Sequence, residues 1–370
     1  MGFSPRSLEG YTPAWAKAHA TEFKPDMAIM PPTQPAALPL VESLVASRLR
    51  HPQVGPRWLV AVSGGPDSMA LLRVALLVAQ EQGGEITCGH VDHQLRPESG
   101  TDREWVQQQC TAFDVPCRVE KIELPVPDGP RTAIEEQARN ARYAALLRMA
   151  HACGATTVLT GHTADDNAET ILHHLFRGTG LRGLSGIPEV RPLAEGIVVW
   201  RPLLSIRREA IVACLNALGQ PSLSDSSNAS DAFTRNRVRS ELLPWLEREL
   251  NPRSVEALQR LASQASEQQS WVEEQAERCL TSALIEPTTE VVRLHRPLLA
   301  TAHPVLAREC FVRLWVRQNW PRQAMTAEHW QRLVEVCQDH GPRAVHMPGG
   351  IDVRRRGEML VIEWHRTPLS

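Results

Sequence analysis

The segment AVSGGPDS, Ala61 to Ser68, combines residue types that bind phosphate. It lies between a short apolar run, WLV, and the helical pattern MALLRVALLVAQEQ. Gly64 and Gly65 let the backbone turn sharply and approach an anion closely. The N-terminus of the following helix presents free amides and a partial positive charge, and the hydroxyls of Ser63 and Ser68 add donors. The segment therefore predicts a phosphate-binding loop.

Asp67 is unusual in such a loop, because an anion beside phosphates costs energy. Its presence is explained if it holds Mg²⁺ or another cationic partner. The alternative is an ordinary strand-to-helix turn in which Asp67 or Ser68 caps the helix. The pattern GxxxxGK[ST] is absent from this loop and no lysine follows Lys121. A P-loop kinase or GTPase is therefore excluded.

Two further motifs lie at the ends of predicted strands: HVDHQLRPES, His90 to Ser99, and TGHTADDNAETILHHLFRGTGLRGLSGIP, Thr160 to Pro188. Open α/β sheets bind ligands at the carboxyl ends of their strands. His90 and His93 are therefore candidates for hydrogen bonds to a ligand, with metal binding as the alternative. His162, at the end of another predicted strand, is a candidate for the same reason.

Three carboxylates, Asp165, Asp166 and Glu169, are spaced to share one helix face. Together they could bind a cation or move a proton. The alternative is that they only cap the helix and interact favourably with its dipole. The apolar side chains of this helix are predicted to face the core: Ile171, Leu172 and Leu175.

Arginines cluster locally, although the net charge of the chain is −2. Between residues 171 and 208 there are six arginines and only two acidic residues. Such an excess can contact phosphates, with a solvated face as the alternative. The segment DSSNASDAFTRNRVR adds further polar candidates, among them Asp225, Ser227 and Asn228. The candidates for phosphate, substrate or RNA contacts are Arg139, Arg142, Arg201, Arg207, Arg235, Asn236 and Arg239.

The S-G-G-x-D-S pattern resembles the PP-loop of the N-type ATP pyrophosphatases, which cleave ATP to an adenylate and pyrophosphate. The ordered motifs together resemble the tRNA(Ile)-lysidine synthetase family, closely over about residues 55–250 and more weakly to the PGG sequence at 348–350. The resemblance implies an α/β fold. A parallel sheet flanked by helices, adenine nucleotide alpha hydrolase-like, would precede a smaller, mainly helical C-terminal domain. The chain is expected to end before the further tRNA-binding domain of larger family members.

The resemblance implies that ATP adenylates the wobble cytidine in the CAU anticodon of isoleucine tRNA. The side-chain amine of L-lysine then displaces AMP and leaves lysidine, which changes the specificity from Met to Ile. At pH 7 the neutral amine costs roughly 4–5 kcal/mol, because its free pKa is near 10.4. A carboxylate is therefore needed to bind the cation, and a base or a desolvated site to release the proton.

The resemblance also implies roles for individual residues. Asp166, Glu169 and His162, with Asp67, are the catalytic candidates: the two helix carboxylates would recognise and deprotonate lysine, with Asp165 as a third contact. Asp67 would hold Mg²⁺, and His162 would contact the nucleotide or the base. The ATP-binding candidates are Ser63, Gly64, Gly65, Pro66, Asp67, Ser68 and His90.

Other functions are less well supported. A PP-loop cytidine thiolase usually needs CxxC cysteines, and none occurs among the eight cysteines. PP-loop ligases of small molecules do not explain the arginine-rich segment. An RNA-binding protein with an inactive nucleotide site would differ from an enzyme in ATP–pyrophosphate exchange. The partners expected are isoleucine tRNA, ATP and L-lysine, in a cytoplasmic protein that resembles a dimeric family.

The elements that must position these residues alternate regularly. Strand and helix patterns alternate four times from Trp58 to Gly178, which predicts a parallel sheet with right-handed crossovers. The glycine- and proline-rich segment 181–193 is predicted as an ordered loop. The predicted domains are an N-terminal extension with a first helix (1–50), a catalytic domain (51–241) and a mainly helical domain that ends in a hairpin (242–370).

Composition sets the outer limits. The chain has 370 residues, 42% hydrophobic and 22% charged, which is typical of a soluble globular protein. No apolar run reaches the length of a membrane span, and the start lacks the apolar core of a secretory signal. The irregular spacing of the cysteines indicates reduced, mostly buried thiols and argues against a zinc ribbon, an iron–sulfur site or a disulfide framework.

Overall fold

The computed structural model describes residues 38–51, 53–92, 99–122, 131–223, 234–288 and 290–365. The predicted site residues His93, Asp225, Ser227 and Asn228 lie outside these ranges, as does most of the predicted N-terminal extension. The chain divides into two compact units, Met1–Val158 with Glu209–Leu223, and Leu159–Arg208 with Ser224–Ser370. The predicted domain boundaries at residues 50 and 241 stay predictions.

The elements up to residue 217 are, in chain order, α1 (Leu38–Arg50), β1 (Arg57–Ala61), α2 (Pro66–Gln82), β2 (Glu85–Asp92), α3 (Ser99–Ala112), β3 (Cys117–Lys121), α4 (Arg131–Cys153), β4 (Thr157–Leu159), α5 (Ala164–Phe176), α6 (Leu181–Leu184), β5 (Val190–Ala194), β6 (Ile197–Trp200) and α7 (Arg208–Ala217). From residue 234 they are α8 (Thr234–Arg237), a π-helical turn (Val238–Leu242), α9 (Leu243–Glu249), α10 (Ser254–Ala283), β7 (Leu284–Pro287), β8 (Val291–His295), α11 (Arg296–Thr301), α12 (Pro304–Arg317), α13 (Ala327–Cys337), β9 (Ala344–Met347), β10 (Ile351–Arg356) and β11 (Met359–Trp364).

The first unit is built on a parallel sheet. Its strands follow the order β3-β2-β1-β4, and β2 pairs in parallel with both β1 and β3. Helices α2, α3 and α4 pack on these strands. Parallel neighbours need such helical crossovers to connect them. The predicted alternation of strands and helices is confirmed, and so is the parallel α/β class.

Helix α2 follows the phosphate loop because the sequence marks both of its ends. Pro66 occupies the first turn, where its missing N–H removes no intrahelical bond. Met69 and Leu72 are fully buried, so an apolar face packs on the sheet. The helix ends at Gly83, whose left-handed backbone lets its N–H reach the carbonyl of Ala79. The N-terminus of α2 is thereby held at the end of β1.

The prediction of a loop over residues 181–193 is wrong. This segment holds α6 and most of β5, which pairs antiparallel with β6 through an irregularity between Pro192 and Ala194. Glycine and proline are typical of loops, but a strand tolerates proline at a bulge. The partner strand, Ile197–Trp200, is apolar and mostly buried, so its burial stabilises the hairpin.

The C-terminal part of the second unit combines helices with an antiparallel sheet of order β7-β8-β11-β10-β9. The predicted hairpin is confirmed as β10 and β11, in which Ile351 pairs with Trp364. Strands β7, β8 and β9 extend it beyond the prediction. Trp315 lies in the core between helices and sheet, with edge-on rings of Trp320 and Trp330 at 4.9 and 5.6 Å. None of the described helices combines the length and the apolarity of a membrane span.

Candidate active site

Gly64 shapes the predicted phosphate loop between β1 and α2. Its φ is +93°, in the left-handed region that favours glycine. A Cβ at this position would lie 2.6 Å from Cδ1 of Leu223. The Gly64 carbonyl also accepts a hydrogen bond from the Leu223 amide at 2.9 Å. Backbone conformation and available space therefore both require glycine here.

The N-terminus of α2 begins with a residue that has no side chain to cap it. Gly65 is the N-cap residue, and no side chain among the described residues caps the helix there. The Ser68 hydroxyl instead donates to the Gly65 carbonyl at 2.9 Å and accepts from the Ser63 amide at 3.2 Å. Asp67 and Ser68 lie inside the helix, so the capping alternative does not describe this turn. The geometry is that of an anion-binding helix N-terminus.

Asp67 is the carboxylate of this loop. It is half-buried in the first turn of α2, with its Oδ1 enclosed by the protein. Mg²⁺ is usually bound through one or two carboxylates together with substrate phosphates and water. A single carboxylate in the first turn of a helix with an uncapped N-terminus fits that requirement.

His90 lies directly behind the loop. It is buried on β2, and its Nδ1 donates to the Val62 carbonyl at 2.8 Å, because a carbonyl oxygen can only accept. The Val62 amide in turn donates to the carbonyl of Gly89 at 2.9 Å. His90 thus holds Val62, the residue between the end of β1 and Ser63.

In the second unit, Asp166 caps helix α5. Thr163 and Asp166 form a capping box: the Thr163 hydroxyl accepts from the Asp166 amide at 3.3 Å, and Asp166 Oδ2 accepts from the Thr163 amide at 2.9 Å. Asp166 therefore caps the helix, as the alternative interpretation of the three carboxylates expected. The other carboxylate oxygen, Asp166 Oδ1, lies 3.6 Å from the Arg235 guanidinium and so faces a cation.

Asp165 anchors the segment before α7. Its Oδ1 accepts from Arg207 Nε at 3.2 Å, and its Oδ2 accepts from the Arg208 amide at 2.8 Å. Arg207 also lies 2.9 Å from Glu247 and 3.5 Å from Glu256. The Arg207 guanidinium is thereby neutralised within the protein.

Glu169 is a buried carboxylate held by arginines. Only 2% of its surface is exposed. Its Oε2 accepts from Arg235 Nε at 2.9 Å, and its Oε1 lies 3.7 Å from Arg239 Nε. Burial raises the pKa of Glu169 to about 7, against the opposing effect of Arg235 and with a further increase from Asp166. A carboxyl group that titrates near neutrality can accept and release a proton at physiological pH.

Comparison with known proteins decides the family. The PP-loop domain family matches residues 41–246. A tRNA(Ile)-lysidine synthase of Nostoc sp. strain PCC 7120 is 33% identical over 332 residues, which cover 85% of this chain and 94% of that relative. One from Salinispora tropica is 36% identical and covers 89% of this chain and 98% of that relative. This chain belongs to the tRNA(Ile)-lysidine synthase family.

A solved structure supports the fold of this family member. The U34-tRNA thiolase NcsA from Methanococcus maripaludis, with its [4Fe-4S] cluster, superposes with a TM-score of 0.50. The match covers 62% of this chain and 78% of that chain at 12% identity. At this identity the likeness shows the PP-loop fold alone.

The remaining predicted residues of this lysidine synthase family member occupy different environments. Arg139 is exposed on α4, with its guanidinium 5.2 Å from the ring centre of Tyr143; Arg142 lies 5.9 Å from the same ring. Arg201 is fully buried and donates to the Pro188 carbonyl at 2.6 Å. That contact stabilises the turn before β5. Because Arg201 is buried, its side chain is not accessible to RNA.

Three further predicted side chains lie in the second unit. His162 is half-buried, with Nδ1 2.9 Å from the Thr160 hydroxyl. Asn236 is half-buried on α8, and its backbone carbonyl accepts from the Ser240 hydroxyl at 2.8 Å. Ile171 and Leu172 are buried as predicted. The prediction for Leu175 is wrong: it lies in the last turn of α5 and is 47% exposed.

Asn167 is a structural residue of this region that the sequence analysis missed. It is buried on α5, and its Oδ1 accepts from the Ile187 amide at 2.7 Å. A Cβ on Gly186 would lie 2.2 Å from that oxygen. An amide side chain at an apolar position of a helix was the available signal, since buried polar groups need partners.

Proposed function

We propose that this chain is a tRNA(Ile)-lysidine synthase that adenylates the wobble cytidine of isoleucine tRNA and joins L-lysine to it. The observation that carries the proposal is membership of that family over nearly the whole length of its relatives. It is an ATP-using ligase that acts on tRNA(Ile). We place it in the cytoplasm, where ATP, lysine and tRNA are all present, as a homodimer.

For the first step, the loop from Ser63 to Ser68 binds the ATP phosphates. The open amides of α2 and the serine hydroxyls supply donors, and the helix dipole favours the anion. Mg²⁺, when bound at Asp67, would neutralise charge that develops as pyrophosphate leaves. The 2-oxo oxygen of the cytidine attacks the α-phosphorus of ATP and pyrophosphate leaves. The ring oxygen, by itself a poor leaving group, can then depart as part of AMP. The cytidine must leave its stack for this reaction, at a cost of a few kcal/mol.

For the second step, Glu169 accepts the proton of the lysine ammonium group. Moving a proton from an amine of pKa near 10.4 to an ordinary glutamate costs about 8 kcal/mol. The pKa of about 7 at Glu169, with Arg235 in place, reduces that cost to about 5 kcal/mol, and displacement of Arg235 reduces it further. The neighbouring arginines disfavour a second cation and so favour the neutral amine.

Lysine reaches Glu169 by displacing Arg235. That arginine is 46% exposed while Glu169 is 2% exposed, so it covers the carboxylate from the solvent side. Asp166 Oδ1 offers the second acceptor to the ammonium group. The exposed Arg139 and the displaced Arg235 are the arginines that we assign to RNA phosphates. His162 is assigned to the nucleotide or the adenylated base.

Pyrophosphate release tests the first step. The enzyme is mixed with ATP, Mg²⁺ and unmodified isoleucine tRNA, and tRNA-dependent pyrophosphate is measured. Asp67→Ala is expected to abolish release. Asp102→Ala, which removes a carboxylate from the first turn of α3, is the matched control and should release pyrophosphate normally. Near-normal release by Asp67→Ala would contradict the assignment of Mg²⁺ to Asp67.

The lysine requirement tests the second step. Glu169→Gln removes the proposed base while keeping the side-chain shape, so it should raise the KM for lysine more than the KM for ATP. Glu241→Gln, on the π-helical turn and 58% exposed, is the matched control. Equal increases for lysine and ATP in Glu169→Gln would contradict a lysine site at this carboxylate.

A further inference from the structure

Three cysteine sulfurs converge inside the first unit. Cys88 on β2, Cys110 on α3 and Cys117 on β3 place their sulfur atoms within 4.8 Å of one another. Among the described residues, no other three histidine, cysteine, aspartate or glutamate side chains are grouped in this way. Cys88 and Cys110 are buried and Cys117 is half-buried, and all three are free thiols.

The fold itself brings these sulfurs together. Cys88 and Cys117 are register partners on adjacent parallel strands. Helix α3 packs on both strands and supplies Cys110. Because strand register and helix packing fix the three backbones, the cluster is organised before any ligand arrives.

This spacing suits a soft metal ion. A Zn–S bond of about 2.3 Å places the sulfurs of a tetrahedral site about 3.8 Å apart. Sulfurs within 4.8 Å therefore need only small side-chain adjustments to surround one ion. Buried cysteines often pack as small apolar residues, but packing does not require sulfur at three converging positions. Thiolate donors favour Zn²⁺ over harder ions such as Mg²⁺.

We infer that Cys88, Cys110 and Cys117 bind one Zn²⁺ ion behind the phosphate loop. The three thiols release their protons to solvent as the ion binds, and water takes the fourth position. The ion joins the consecutive elements β2, α3 and β3. Zinc binding therefore stabilises the first unit.

The cluster is also connected to the phosphate loop. Val106, one helical turn before Cys110 on α3, lies 3.4 Å from where a Cβ of Gly64 would stand. Gly89, next to Cys88, accepts the Val62 amide at 2.9 Å. Zinc at the cluster therefore fixes the strand and the helix on which the loop packs, and ATP binding should tighten when the metal is bound.

Cobalt substitution tests the site directly. The full chain is reduced, freed of metal with a chelator under anaerobic conditions, and titrated with Co²⁺ and then Zn²⁺. Co²⁺ should give a thiolate-to-metal charge-transfer band that saturates at about one ion per chain and disappears when Zn²⁺ replaces it. Cys117→Ser, at the half-buried position, should lose the band. Cys153→Ser, a half-buried cysteine outside the cluster, should keep it.

A second measurement does not depend on the folding of a variant. Zn²⁺ added to the reduced wild-type chain should protect three thiols from a thiol-specific reagent and raise the melting temperature. Absence of a charge-transfer band in the wild type, or an equal band in Cys117→Ser, would overturn the proposal. Loss of two thiols in air, restored by reductant and unaffected by zinc, would overturn it in favour of a disulfide-forming cluster.

Discussion

Glu169→Gln should change how the stability of this protein depends on pH. Glu169 is 2% exposed, and burial raises its pKa from the ordinary 4.5 to about 7. Below pH 4.5 the carboxyl group is protonated in both the folded and the unfolded chain. Between the two values the unfolded chain ionises the group while the folded chain does not. The folded state therefore loses stability as the pH rises towards 7, and the loss is complete above that value.

The structure gives the size of this effect. A shift of about 2.5 units corresponds to about 3 kcal/mol of unfolding free energy. Glutamine is neutral at every pH and escapes this loss. The free energy of unfolding of Glu169→Gln, relative to that of the wild type, should therefore increase by about 3 kcal/mol between pH 4.5 and pH 8. Its former partners Arg235 and Arg239 are 46% and 33% exposed, so water can solvate them.

Urea unfolding followed by circular dichroism measures this difference across the pH range. Glu309 also has a raised pKa because of burial, and comparing variant with wild type removes its contribution. Glu241→Gln is the matched control, and its difference from the wild type should not change with pH. Parallel pH profiles for Glu169→Gln and wild type would refute the reasoning. A wild type that gains on the variant as pH rises would show that the arginines outweigh desolvation.

Three other substitutions test separate features. Thr163→Val removes the capping hydroxyl of α5 and should cost about 1 kcal/mol, seen as a lower melting temperature; an unchanged melting temperature would contradict the capping box. Gly64→Ala should abolish ATP binding in calorimetry, whereas Gly83→Ala, with the same sign of φ but nothing within 4 Å of its Cβ, should keep it. Arg235→Gln should move the titration of Glu169 above pH 7, because Arg235 lowers the pKa of that carboxyl group; a downward shift in a nuclear magnetic resonance titration would contradict this.

Local sequence signals predicted the conformation of the turn between β1 and α2. The glycines and the proline between β1 and α2 act within a few residues, so their effect can be inferred without knowing the rest of the fold. The alternation of strand and helix patterns, which predicted the parallel sheet, is also a local signal. At the start of α5, sequence spacing left capping and catalysis as alternatives. The structure places Asp166 in the cap and Glu169 in the interior.

Long-range pairings were beyond sequence reasoning. Glu169 meets Arg235, 66 residues along the chain, and nothing in a single sequence pairs these two charges. The sequence makes Arg201 a candidate for phosphate, substrate or RNA contacts, because a single sequence does not show that this arginine is buried. The irregular spacing of the cysteines likewise argued against a metal site, although strand register and helix packing bring three of them together. The β5–β6 hairpin was missed because its proline was interpreted as part of a loop.

The most direct test of the central claim is the transfer of labelled L-lysine to unmodified isoleucine tRNA with a CAU anticodon. The reaction is run with and without ATP and Mg²⁺, and methionine tRNA, which has the same anticodon, is the control. The account predicts ATP-dependent labelling of the isoleucine tRNA alone. Pyrophosphate release that depends on tRNA but leaves no lysine on it would contradict lysidine formation, and so would equal labelling of both tRNAs.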